Sequence, residues 1–191
     1  METREVAEVE ALSAWFATAT PDPDLAVSLW RENAHLPRRL QCGMAFDIVM
    51  ADRSLISTAY RLLAQYEQPL GPAVLFTSLR SAAVLVPVGT ALRWNSLMAT
   101  AQWPERRPRP ACLSAGHVIL VPAPRPAGLL AQWLEPPDDE QAIGGAPLLT
   151  SPVPLARCIT EAQALLGPPE RTPLRRTVSA VRSLLHSPQR T

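Results

Sequence analysis

Carboxylates that could hold catalytic metal ions are few and scattered in this sequence. Asp47 stands inside the apolar stretch 44–50, Asp52 follows it closely, and an acidic run lies at 138–140. Metal-assisted phosphoryl or nucleotidyl transfer needs several carboxylate oxygens that converge on one site. These acids are not spaced as such a set, so we expect no bound metal and no cofactor. A nucleotide-processing enzyme built on relocated acids stays an alternative.

The histidines and cysteines form no recognisable catalytic or metal-binding motif. Nucleophilic catalysis needs a base and an orienting acid beside the nucleophile, and no nucleophile motif lies near His35, His117 or His186. The three cysteines are far apart, whereas zinc sites favour close pairs. We therefore expect each cysteine to be a small buried hydrophobic residue, and we predict no catalytic residue.

Arginine supplies all 18 basic residues, and two groups of arginines could contact phosphate. One follows a tryptophan in the proline-rich loop 103–110, a pattern suited to backbone contact and base stacking on a single strand. The other lies near the C-terminus. The net charge is only +1, so nucleic-acid binding must come from such patches. The predicted contact residues are Trp103, Arg106, Arg107, Arg109, Arg175, Arg176 and Arg182. A solvated loop with a core tryptophan, and a solvated tail, are the structural alternatives.

Hydrophobic periodicity predicts the elements that position these residues. Helices are predicted over 5–18, 25–30, 53–66, 92–101 and 155–166, and strands over 44–50, 73–77, 82–86, 116–122 and 130–134. Asp52 is a predicted N-cap of the third helix. Helices alternate with short strands, which indicates an α+β fold with a mixed, mainly antiparallel sheet flanked by helices and a helical C-terminal extension.

Changes in composition divide the chain into four parts. They are a core over 1–137, a mobile loop over 138–150, a helix packed on the core over 151–167, and a basic amphipathic tail over 168–191. Apolar residues recur at helical spacing in 173–186, so this segment is a candidate binding site for a protein partner.

The sequence contains no candidate membrane span or secretory signal. No apolar run approaches the roughly 20 residues that cross a bilayer. The N-terminal stretch is acidic and lacks the basic start of a secretory signal. We therefore expect a cytoplasmic protein.

Four stretches, taken in order, carry a resemblance to one protein family. They are Thr20–Leu25 with Trp30, Leu40–Gly43 with Phe46–Val49, Phe76–Pro87, and Gly116–Pro124 with Gly128 and Trp133. Over about residues 5–137 the chain resembles the N-terminal primase-polymerase domain of the archaeo-eukaryotic primase superfamily. Small stand-alone bacterial proteins described as bifunctional DNA primase/polymerases are the nearest members.

The resemblance implies a two-metal polymerase site and also shows which of its residues are missing. The family supplies Asp-x-Asp from one strand; Asp47 matches the first aspartate, and Val49 replaces the second. The family's phosphate-contacting histidine falls on Ser81, beside a retained Arg80. Its third acidic position falls in 110–113, which contains no carboxylate.

The expected function is that of a catalytically inactive primase-polymerase-like domain, used as a nucleic-acid-binding or regulatory module. DNA or a single-stranded nucleic acid is the expected partner. The vestigial site would be a groove where Asp47, Arg80, Ser81 and His117 meet. Asp47 as a turn cap or an arginine partner is the structural alternative. A protein–protein scaffold that uses 173–186 is a second function class.

Overall fold

The chain folds into five helices and seven strands within the part that is described. The computed structural model describes residues 2–33, 36–76, 79–124, 131–137 and 146–167, with side chains from Glu10 onward. The helices are α1 (Glu2–Ala17), α2 (Pro23–Glu32), α3 (Arg53–Gln65), α4 (Thr90–Thr100) and α5 (Pro152–Leu166). The strands are β1 (Arg38–Gln41), β2 (Asp47–Asp52), β3 (Ala73–Phe76), β4 (Ser81–Val86), β5 (Ala111–Leu113), β6 (Val118–Val121) and β7 (Ala131–Glu135).

A five-stranded sheet in the order β5-β2-β4-β3-β7 forms the centre of the fold. β3 and β4 make the predicted hairpin, and every strand pair among the described residues is antiparallel. β1 and β6 form a separate two-stranded sheet. The α+β class predicted from the sequence is thus confirmed.

Helices α3, α4 and α5 cover one face of the central sheet. The apolar positions of α3 recur at i, i+3, i+4 and i+7, so one stripe of the helix faces the sheet and α5. Asp52 caps α3 as predicted, because its Oδ1 accepts the Ser54 N–H at 2.8 Å. Each large aliphatic side chain buried here contributes about 1.5–3 kcal/mol to folding.

The opposite face of the sheet packs against α1, α2 and the β1–β6 sheet. Phe16 of α1 contacts Phe46 and Trp133 through its ring, and Leu40 and Val121 fill the space between the two sheets. The central strands are therefore buried on both sides. This explains why β4 is continuously apolar rather than alternating.

Strand β2 begins later than predicted, at Asp47, because the chain turns just before it. Gly43 has φ +84°, a conformation that favours glycine. A Cβ there would lie 2.5 Å from the Ala115 nitrogen, so the turn also needs glycine for close approach to the 114–117 turn. The short strands β1 and β5 have too few apolar residues to be predicted from pattern alone.

The described end of the predicted mobile loop, 146–150, is fixed to the core instead. Thr150 is buried; its N–H donates to the Leu85 carbonyl, and its Oγ1 accepts the Gly71 N–H. These two hydrogen bonds hold the described end of the segment in place, and residues 138–145 lie outside the described part of the chain. The predicted tail, 168–191, lies outside the described residues.

α5 packs on the core through residues such as Leu155 and Ile159 and ends at Gly167, close to the predicted limits. None of the helices in the described part of the chain is long and apolar enough to cross a membrane.

Candidate functional site

A cleft of about 780 Å³ opens where three parts of the fold meet. One wall is the loop 107–111, another is the end of β2 with the start of α3, and the third is the end of α5. Its volume lies within the range usual for ligand sites. The lining residues are Met50, Ala51, Asp52, Ser54, Leu55, Trp103, Arg107, Pro108, Arg109, Pro110, Ala111, Gln163, Leu166 and Gly167.

The cleft exists because strand β5 is short. β5 pairs with β2 only from Ile48 to Met50, so the last two residues of β2 extend past it. Pro110 precedes β5 and has no N–H with which to continue the ladder. The chain therefore leaves the sheet edge at this point, and the end of β2 is open to the cleft.

Two of the arginines predicted to contact nucleic acid line this cleft. Arg107 and Arg109 stand on the loop wall, and Arg106, next to them, is exposed but outside the lining. Among the residues with described side chains, no carboxylate lies within ion-pair distance of these three guanidinium groups. Their charges are thus free to bind an anion.

Trp103 holds the proline-rich loop 103–110, called the arginine loop below, in place from within the core. Its side chain is 4% exposed, and its indole N–H donates to the Arg107 carbonyl at 3.2 Å. A buried ring offers no free face to a base, so the predicted stacking role does not fit this position. The structural alternative, a core tryptophan, describes it instead.

Asp52 lies at the cleft on the wall formed by the end of β2 and the start of α3. Its Oδ1 accepts both the N–H and the hydroxyl of Ser54, and its Oδ2 has no bonding partner among the described residues. The sequence predicts Asp52 as a helix cap but does not indicate that the same carboxylate borders a ligand-sized cleft. The end of α5, with Gln163 and Leu166, also carries no sequence signal for a site.

Asp47 lies at the other end of β2 and caps a helix. It is fully buried, and its Oδ2 accepts the Ala91 N–H at 3.0 Å in the first turn of α4. Gly89 precedes that turn with φ +85° and provides no side chain to cap it. A carboxylate at this position compensates an unpaired donor and the positive end of the helix dipole. The Oδ1 of Asp47 has no partner in the described part of the chain.

The predicted groove of Asp47, Arg80, Ser81 and His117 is not formed. Asp47 pairs with Val86 in the β2–β4 ladder, whereas Ser81 pairs with Asp52. At about 3.4 Å per residue, the two ends of the ladder are about 17 Å apart. The prediction was wrong because Arg80 and Ser81 begin an antiparallel strand, which carries them away from Asp47.

Arg80 and Ser81 lie at the cleft end of the sheet. The Arg80 carbonyl accepts the Arg53 N–H at the start of α3. Neither Arg80 nor Ser81 lines the cleft.

His117 belongs to the exposed turn before β6. Its Nδ1 lies 3.2 Å from the Ser114 carbonyl, and its own carbonyl accepts the Cys42 N–H. It is therefore a turn residue of the second sheet.

The other two positions of the implied polymerase site do lie together, but they carry no acid. Val49 follows Asp47 on the same face of β2 and is fully buried in the core. Cys112 is its partner on β5, in the stretch 110–113. Among the described residues, no group of three histidine, cysteine, aspartate or glutamate side chains could hold a metal ion.

The thiols of Cys42 and Cys112 lie close enough to Asp47 for its negative charge to raise their pKa values. Burial raises the pKa of Cys112 to about 12, and the negative charge of Asp47 adds to the effect. Burial and the same carboxylate raise the pKa of Cys42 to about 11. Both thiols therefore stay protonated at neutral pH and are poor nucleophiles.

The tail arginines Arg175, Arg176 and Arg182 lie outside the described residues, as do the segment 173–186 and the acidic run at 138–140. Comparison with protein families, curated proteins and solved structures finds no match to this chain.

Proposed function

We propose that this chain is a non-catalytic, primase-polymerase-like module that binds single-stranded nucleic acid in the cleft beside the arginine loop. The observation that carries the proposal is that the guanidinium groups of Arg107 and Arg109 stand on the wall of a ligand-sized cleft and have no ion-pair partner among the described residues. Guanidinium groups bind phosphate oxygens through fork-like pairs of N–H donors.

The mixed character of the cleft supports a nucleic-acid strand over a free inorganic anion. Apolar side chains such as Met50, Leu55 and Leu166 form much of the lining, and the arginines stand on one wall. A nucleotide has the same two parts, an apolar ring face and a charged phosphate. Single-strand binding sites in general combine basic grooves with surfaces that contact bases.

The backbone of the arginine loop is restrained, so the loop holds its charged side chains in place. Pro104, Pro108 and Pro110 restrict its backbone, and the Trp103 indole bonds to it from the core. Preorganised donors lose less conformational entropy on binding than donors on a loose loop. This favours phosphate contact by Arg107 and Arg109 over a merely solvated loop.

The non-catalytic part of the proposal rests on how the acids are used. Asp47 is committed to the α4 N-terminus, and Val49 occupies the next position on the same strand face. Asp52, at the far end of β2, is about 17 Å away. Two metal ions held about 4 Å apart cannot be shared by carboxylates with this separation.

Fluorescence anisotropy with a labelled single-stranded oligonucleotide tests the binding proposal. The variant Arg107→Ala/Arg109→Ala should weaken binding at least tenfold and lower the salt slope by about 1.4, since each lost phosphate contact on a single strand accounts for about 0.7. Arg39→Ala/Arg157→Ala, which removes the same charge from exposed sites outside the cleft, is the matched control. Equal loss in both variants would show that only net charge matters and would refute the cleft site.

Primer extension with Mn²⁺ and deoxynucleotides tests the non-catalytic claim. We expect no synthesis by the purified chain. Template-directed extension that is lost in Asp47→Asn would establish a polymerase and overturn this part of the proposal.

A further inference from the structure

The cleft lining contains a carboxylate and two guanidinium groups that form no ion pair with one another. Ser54 uses its N–H and hydroxyl on Asp52, and Gln163 uses its Nε2 on the Gly167 carbonyl at 2.9 Å. Among the described residues, the guanidinium groups of Arg107 and Arg109 are then the charged free donors of the lining, and the second amide N–H of Gln163 is a neutral one. Within the described part of the chain, Asp52 Oδ2 and Gln163 Oε1 have no donor bound to them.

The positive and negative groups of the lining can contact different parts of a bound nucleotide. Its phosphate fits the guanidinium groups of Arg107 and Arg109 on the loop wall. The edge of its base then meets the wall formed by the end of β2, where the Asp52 carboxylate is a charged acceptor. Asp52 forms no ion pair with either arginine, so its carboxylate is not neutralised by them.

Bases differ in what they can donate to a carboxylate. Cytosine, adenine and guanine carry exocyclic amino groups, and aspartate or glutamate accepts hydrogen bonds from such groups. Thymine and uracil have no amino group, and their one ring N–H on the pairing edge lies between two carbonyl oxygens, which a carboxylate repels. A free aspartate in a base-binding cleft therefore discriminates between these two sets.

We propose, on the basis of the function proposed above, that Asp52 makes the cleft selective for bases with an exocyclic amino group. The amino group donates to Asp52 Oδ2 while the phosphate of the same strand binds the arginine wall. Asp52 is thus both the N-cap of α3 and the specificity-determining residue of the cleft.

Two pyrimidine oligonucleotides test the selectivity. Labelled oligodeoxycytidine and oligothymidine of about 12 nucleotides, a length typical of single-strand sites, have the same backbone and similar ring size. Anisotropy titrations at neutral pH should show roughly tenfold tighter binding of the cytidine strand, the difference expected for one hydrogen bond to a charged group.

The variant Asp52→Asn isolates the carboxylate from the helix cap. Asparagine caps helices about as well as aspartate, so the bond from the Ser54 N–H is kept and the fold should be retained. Its amide nitrogen can replace Oδ2 and turns the free acceptor into a donor. The preference should then disappear or shift towards the thymidine strand. Glu105→Gln removes the same charge from an exposed position in the arginine loop, outside the lining, and should leave the preference unchanged.

The outcomes separate this inference from the function on which it rests. Binding of neither strand by the wild-type chain would overturn both proposals. Equal binding of the two strands would overturn the selectivity alone, with single-strand binding intact. A cytidine preference that persists in Asp52→Asn, with an unchanged urea midpoint, would show that another group reads the base.

Discussion

At the scale of single residues, two aspartates on strand β2 have different structural roles. Asp47 is buried and caps α4 from a neighbouring strand, whereas Asp52 caps α3 locally and keeps one oxygen free at the cleft. Both belong to β2, five residues apart. Similar carboxylates thus serve stability at one end of the strand and candidate recognition at the other.

Replacing Asp47 should reveal its role as a helix cap. Asp47→Ala leaves the Ala91 N–H without an acceptor inside the protein, so we expect a loss of about 1–2 kcal/mol in the free energy of unfolding. Asp47→Asn keeps an acceptor oxygen and should lose less. Urea denaturation monitored by tryptophan fluorescence measures both. An Asp47→Ala variant as stable as wild type would contradict the capping role.

The raised thiol pKa values predict a loss of stability at alkaline pH. The ordinary value is 9.0, and burial raises it to about 11 for Cys42 and Cys158 and about 12 for Cys112. Between pH 9 and 11 the unfolded chain releases thiol protons that the folded chain retains. The contribution of the neutral thiols to the free energy of unfolding is therefore complete below pH 9, and it is lost as the pH rises through the thiol pKa values of the folded chain.

Urea midpoints measured at pH 7 and pH 10 check this expectation. A chain with all three cysteines changed to alanine should show a smaller decrease between the two pH values. In Asp47→Asn, alkylation of Cys42 and Cys112 should shift to lower pH, while Cys158, whose pKa does not depend on Asp47, serves as an internal control. Equal shifts at all three cysteines would refute the proximity of Asp47.

At the scale of elements, buried hydrogen bonds connect α3 to the segment before α5. The Tyr60 hydroxyl lies 2.9 Å from the Gly71 carbonyl and 3.0 Å from Thr150 Oγ1. Gly71 has no room for a side chain, since a Cβ there would lie 2.2 Å from the Thr150 nitrogen. This network positions the start of α5, whose far end forms a wall of the cleft.

Two tyrosines near the same helix provide a matched test of that network. Tyr60→Phe leaves the buried Gly71 carbonyl and Thr150 with fewer partners and should destabilise the fold by about 1–2 kcal/mol. Tyr66→Phe removes an exposed hydroxyl that donates to Glu161 and should change stability by at most a few tenths of a kcal/mol. Thermal denaturation of both variants compares them. Equal effects would mean that the buried network adds nothing beyond the surface bond.

At the scale of the whole molecule, the two ends of the central sheet contain different sets of polar residues. One end contains Asp47, Val49 and Cys112, where the resemblance to primase-polymerases would put chemistry. The other contains the cleft with Asp52 and the arginine loop. Helix α5 ends at Leu166, and Leu166 and its C-cap Gly167 both line this cleft.

Truncation after Gly167 separates the tail from the core. The last fully buried residue of α5 is Ala162, so the truncated chain should keep its melting temperature. If Arg175, Arg176 and Arg182 contact the strand, the salt slope should fall by about 2. A protein partner that is lost on truncation, with strand binding unchanged, would favour the alternative scaffold function of 173–186. An unfolded product would contradict the assignment of the core.

The sequence alone predicted the features that depend on neighbours along the chain. Helical spacing located α3 and α5, the polar turn located the β3–β4 hairpin, and Asp52 was recognised as a cap from its position before an apolar helix. These features are local because side-chain periodicity and capping involve residues within one or two turns. The arginine loop was found from its composition in the same way.

Only the tertiary structure decided which residues meet. Antiparallel pairing of β2 and β4 separates Asp47 from Arg80. Strand β5 pairs with β2 only as far as Met50, which leaves open the cleft that both Asp52 and Arg107 line. The burial of Trp103 and the cap from Asp47 to α4 likewise join residues far apart in the chain. Strand β4 is apolar on both faces, so its pattern does not distinguish one register from the next, and packing in the folded chain decides it.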